Sequence, residues 1–181
     1  MANQQATIEI LMEKIKSLEE RVVLLESKNP KYKSSISSIT NFHTPTINYS
    51  EWIKICEPTQ ENMEAIFSHG YIQGMSIMIC SLIEQFTDPP FILNRNKKNQ
   101  ILIYVDGKWI QMDNKQFETF VDIQQFKLLK IFKQWKADNP KYLTDQYSEI
   151  LSKYLQNILG TKYPKITTIQ RIRNTVYTSL L

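Results

Sequence analysis

Four side chains in this sequence have the donor chemistry of a metal site: His43, Cys56, His69 and Cys80. Zinc takes four nitrogen or sulfur ligands, usually as short chelating pairs such as C-x₂₋₄-C. Here 10 to 12 residues separate each donor from the next, so no pair chelates locally. The expectation is therefore no metal site and no cofactor. Thiol catalysis fares little better. Cys80 falls inside an apolar helical pattern, where a thiol stays protonated and inert. Cys56 with His69 has no supporting motif. The chain has neither G-x-S-x-G nor H-E-x-x-H, and its four glycines form no phosphate-cradling loop. Its carboxylates sit on ordinary polar faces, so no acid/base pair stands out. A non-enzymatic protein is expected, with no catalytic residues.

Basic side chains offer the next chemistry. Net charge is −1 over residues 1–29, −3 over 30–94 and +8 over 95–181, giving +4 for the chain. Lys127, Lys130, Lys133 and Lys136 recur at three-residue spacing. Arg171 and Arg173 follow near the C-terminus, and Arg95, Lys97 and Lys98 lie upstream. These nine residues are the candidate nucleic-acid contacts. They would meet phosphates, giving salt-sensitive and sequence-poor binding. The competing reading is a solvated lysine surface on an amphipathic helix.

The third chemistry is association. Ile8, Ile15 and Val22 fall on heptad position a, and Leu11, Leu18 and Leu25 on position d. β-Branched residues at a with leucine at d favour a parallel two-stranded coiled coil. Lys14 and Arg21 at g would meet Glu19 and Glu26 at e of the partner chain. Three heptads are short for a free-standing coil. Ile10, Val23 and Leu24 widen the apolar face, which leaves a trimer, a tetramer or docking on another protein open.

These groups need elements to position them. The fold class read from the pattern is mainly α (α+β). An N-terminal parallel coiled coil (1–29) precedes a linker or extended arm (30–50). A C-terminal α+β domain (51–181) follows, with a small antiparallel β-hairpin sheet. Asn29-Pro30 ends the coil, because proline stops a helix. Thr59 is a candidate N-cap for a helix that stops at Gly70, and helical periodicity resumes from Tyr71 to Phe86. Short strands are expected at 91–93, 101–105 and 108–112. Asp106-Gly107 forms a type I′ hairpin turn between the last two. Asp113 caps a long helix over 114–137 with Phe117, Val121, Leu128, Phe132 and Trp135 inside. Asn139-Pro140 breaks it. Thr144 is expected to cap a helix ending at Gly160, with Tyr147, Ile150, Leu151, Tyr154, Leu155 and Ile158 inside. A last helix begins at Pro164, with Ile166, Ile169, Ile172, Val176 and Leu180 on one face.

Tyr104, Asp106, Gly107 and Trp109, then Trp135, Asn139-Pro140 and Tyr147, form a Tyr-x-Asp-Gly-x-Trp hairpin followed by a long helix, an Asn-Pro break and a Tyr-rich helix. This half of the chain (89–181) resembles uncharacterised proteins of giant, mimivirus-like DNA viruses. Those proteins look to have a central coiled coil, and many carry N-terminal zinc fingers. No zinc-finger pair is present here, so zinc-dependent DNA binding is not inherited. The Ile/Lys/Asn-heavy composition fits an AT-rich genome of that kind. The resemblance implies a viral protein of the host cytoplasm (viral factory) or the virion, and no known activity. Two cysteines without a disulfide framework suit a reducing compartment. No run of eighteen apolar residues marks a membrane span, and the N-terminus is unlike a signal peptide. The expected function is a self-associating scaffold or adaptor. Its partners are itself, with a dimer favoured, and another viral protein. The alternative is a dimeric DNA- or RNA-binding regulator using the basic C-terminal half.

Overall fold

A computed structural model describes residues 43–94, 97 and 99–180. The heptad seam, with Ile8, Leu11, Lys14, Ile15, Leu18, Glu19, Arg21, Val22, Leu25 and Glu26, lies outside the described residues, as do Arg95 and Lys98. A compact unit runs from Thr44 to Leu181. It extends upstream of residue 51 because Tyr49 and Trp52 belong to its core, with Ile47 packed against them. The element order is α1 (Tyr49–Ile55), α2 (Gln60–His69), α3 (Tyr71–Glu84), β1 (Phe91–Leu93), β2 (Ile101–Val105), β3 (Lys108–Gln111), α4 (Asn114–Asp138), two 3₁₀ turns (Pro140–Leu143 and Asp145–Tyr147), α5 (Ser148–Leu159) and α6 (Lys165–Ser179). The described residues are thus mainly helical, with one small antiparallel sheet ordered β1-β2-β3.

Local chemistry sets most boundaries. The Thr59 hydroxyl accepts from the Asn62 N–H at 3.2 Å, and the Asn62 side chain accepts from the Thr59 N–H at 2.9 Å. This reciprocal pair satisfies two orphan donors at the start of α2. Asp113 and Gln116 do the same for α4, at 2.7 and 2.9 Å. Asp106 and Gly107 take φ of 48° and 80°, the two positive values that a type I′ turn requires. The turn is tied to α1, since the Asp106 N–H donates to the Asn48 side chain at 3.0 Å. Across β2–β3, Tyr104 faces Trp109 with ring centroids 5.4 Å apart, edge to face.

Two aromatic clusters fill the body. Trp52, fully buried, stacks on Phe120 at 5.6 Å and touches Phe91 and Phe86, each at 6.0 Å. Phe67 stacks on Tyr154 at 4.0 Å, and Trp135 lies between Phe132 and Tyr142 at 5.9 and 4.9 Å. Phe117, Val121, Leu128, Phe132 and Trp135 all face inward from α4, as their spacing predicts, and Phe120 and Gln124 join them.

Several expectations differ from the structure. Thr144 does not cap a long helix. Its hydroxyl donates back to the Lys141 carbonyl at 2.8 Å, closing a 3₁₀ turn, and α5 begins only at Ser148. Ile150 and Leu155 are exposed, and so is Ile166, at 75%. The third strand stops at Gln111, because Met112 turns into the core.

Candidate nucleic-acid interface

A three-residue spacing advances about 300° around a helix of 3.6 residues per turn, so four such lysines drift by roughly 180° from first to last. Lys127 and Lys136 therefore lie on opposite sides of α4. Lys127 points at the end of α1. Its ammonium donates to the carbonyls of Ile53 and Lys54, each at 3.1 Å, and to that of Cys56. It also pairs with Glu57 at 2.8 Å. A cation on the last carbonyls of a helix satisfies orphan acceptors and the negative end of the dipole together. Lys127 is thus a cap for α1.

Arg173 is likewise committed to the fold. It is 8% exposed. Its guanidinium donates to the Met112 carbonyl at 2.7 Å, the Asp113 carbonyl at 3.3 Å and the Asn114 side chain at 3.1 Å. It also lies 5.5 Å from the Phe117 centroid. It fastens α6 to the β3–α4 junction. Burial lowers its pKa and Asp113 opposes that.

The remaining cations meet solvent. Lys133 and Lys97 are exposed, and Lys130 lies over the Phe126 ring at 4.9 Å. Lys136, half-buried, lies over Phe132 at 5.3 Å. Arg171 and Lys162 both approach the Tyr163 ring, at 4.7 and 5.6 Å. Lys165 is neutralised by Glu118 and Asp122 of α4 at 2.7 and 2.8 Å. These solvent-facing cations are therefore scattered: Lys130, Lys133 and Lys136 spread around the outer side of α4, Lys97 lies between β1 and β2, and Arg171 with Lys162 lies over Tyr163. Lys162 and Tyr163 carry no helical periodicity, and the only sequence signal for them was local basic and aromatic content.

The thiols are set against nucleophilic work. Burial pushes the Cys56 thiol up to about 12, with Lys127 opposing. Burial pushes Cys80 up to about 11. Neither supplies a thiolate near neutral pH. Among the described residues no cluster of three or more His, Cys, Asp or Glu side chains could hold a metal ion, and no helix is long and apolar enough to cross a membrane. Compared with known proteins, the chain matches no family model, no curated protein and no solved structure.

Proposed function

We propose that this chain is a non-enzymatic scaffold or adaptor that self-associates through its N-terminal heptad seam. A parallel dimer is favoured, with a trimer or tetramer allowed by the wider apolar face. The observation carrying this reading is that positions a, d, e and g agree with one another over residues 8–26. It is supported by a body with its own aromatic core and its own caps, which a coil would present in two copies. Lys127 and Arg173 being spent on that core weakens the rival view of the basic half as one phosphate-binding face. The Tyr-x-Asp-Gly-x-Trp hairpin supports a viral protein of the host cytoplasm or the virion, with another viral protein as partner.

Leu18→Glu tests the reading. It would place an unpaired charge in the seam, which is costly. Light scattering should report a monomer, with circular dichroism of the body unchanged. An unaltered mass would defeat the seam.

A second reading, a dimeric DNA- or RNA-binding regulator, is favoured by the exposed lysines of α4 and by Arg171 with Lys162. The two readings separate on duplex DNA across a salt series. A regulator binds tightly and loses affinity steeply with salt as counterions are released. A scaffold shows only weak, nonspecific retention at physiological salt.

A further inference from the structure

We propose that a cleft between the α2–α3 junction and the α5–α6 connection binds a nucleoside phosphate, with the phosphate held by Arg171, Lys162 and the start of α3, and the base lying on Tyr163. The cleft has a volume of about 310 Å³. That is the lower end for small-molecule sites and fits one nucleotide unit.

The charge of its wall is one-sided. His69, Lys162 and Arg171 line it, and no carboxylate among the described residues does. Neither Lys162 nor Arg171 forms an ion pair with another described residue. Gly70, Tyr71, Ile72 and Gln73 also line the cleft, and they form the start of α3, a helix of 14 residues. No side chain caps that start. The Gly74 N–H is the first to find an intrahelical acceptor, the Gly70 carbonyl at 2.9 Å. The three preceding N–H groups belong to the orphan donors of a helix end, where an anion is favoured.

A buried polar side chain lies at the same place. Thr168 lines the cleft and is only 3% exposed. Its hydroxyl has one long contact, 3.5 Å to the Tyr163 carbonyl. With its proton given to that carbonyl, the hydroxyl oxygen keeps acceptor capacity.

The aromatic wall distinguishes a nucleoside phosphate from a bare anion. Tyr163 is 40% exposed, with the Arg171 guanidinium and the Lys162 ammonium over its ring, 4.7 and 5.6 Å from the centroid, so a base would stack on the ring face they leave open or on the guanidinium plane itself. An exposed ring beside cations is the combination that stacks a base while its phosphate is neutralised. The nucleotide can be free or one unit of a single strand, and both share this chemistry. The site does not depend on self-association and so goes beyond the scaffold reading.

The test is calorimetric titration of the full chain with AMP, adenosine, inorganic phosphate and an oligothymidylate of about ten nucleotides. AMP should bind in the roughly millimolar range or tighter, and adenosine and inorganic phosphate each more weakly. Arg171→Ala and Lys162→Ala should each weaken AMP by about tenfold, the loss of one charge-assisted contact. Tyr163→Leu should bring AMP down to the affinity of inorganic phosphate. Lys108→Ala, exposed on β3 and outside the cleft lining, should leave AMP affinity unchanged. An oligonucleotide binding far tighter than AMP assigns the site to single strands, and one no tighter assigns it to free nucleotides. AMP binding that is absent, matched by adenosine, or indifferent to both Arg171→Ala and Lys162→Ala overturns the proposal.

Discussion

A lysine with four oxygen partners is a different object from a lysine in water, although the two are indistinguishable in a sequence. Lys127 and Lys133 illustrate this six residues apart on one helix. Removing Lys127 leaves the last carbonyls of α1 and the Glu57 carboxylate without their cation. Hydrogen bonds to charged groups contribute about 1.5–3 kcal/mol each in the folded state. Partial exposure of Glu57 keeps the expected loss for Lys127→Ala near the lower figure. Urea unfolding should show it, and Lys133→Ala should stay within about 0.5 kcal/mol of the parent. Equal, small effects would mean that the α1 cap is not formed in solution. The buried thiol gives a pH signature at the same scale. An unfolded cysteine titrates near 9.0, whereas burial holds Cys56 protonated up to about 12. The fold therefore favours the neutral thiol. That stability is full below pH 9 and is lost as pH rises from 9 towards 12. Tyr49 and Tyr71 are shifted upward by burial too, so they act in the same direction. Unfolding midpoints at about pH 8 and about pH 10.5 should fall with pH, and less so in Cys56→Ala. A pH-independent midpoint would contradict the burial of these groups.

Elements were legible where their causes are local. Thr59 and Asp113 as caps, Gly70 and Gly160 as stops and Asp106-Gly107 as a hairpin turn each depend on a few neighbouring residues, and each appears where the pattern placed it. The inner face of α4 was readable for the same reason, since 3.6-residue periodicity marks a face without needing its partner. What covers a face is not local. Ile166 shares a helical face with Ile169, yet it is 75% exposed while Ile169 is buried. Helix α1 was missed because seven residues give little periodicity, and its place is fixed by Trp52 reaching Phe120. The candidate site was the least legible. Lys127 and Arg173 became structural through carbonyls some seventy and sixty residues away. Lys162, Tyr163 and the start of α3 meet only in three dimensions. Close packing of α2 on α3 supplies a test at this scale. A Cβ on Gly74 would lie 2.5 Å from the Ile66 Cα. Gly-to-Ala inside a helix ordinarily stabilises by up to about 1 kcal/mol. Here backbone must move, and overpacking costs about 1–3 kcal/mol, so Gly74→Ala should destabilise. A thermal melt that rises instead would show that the two helices separate easily.

In the proposed reading, association and folding belong to different stretches of sequence. Residues 44–181 contain both aromatic clusters and every cap described above, so their stability should not depend on the seam. Association should depend on it entirely, because the a, d, e and g pattern is confined to residues 8–26. The proposed cleft lies within the body and would be carried once per copy. The most direct measurement is sedimentation equilibrium of the full chain beside a fragment of residues 44–181, at equal concentration. Association through the seam predicts that the full chain has a whole-number multiple of its 21.4 kDa mass, two being favoured. The fragment should be a cooperatively melting monomer. A monomeric full chain, or a fragment that assembles as the full chain does, would contradict self-association through the N-terminal seam.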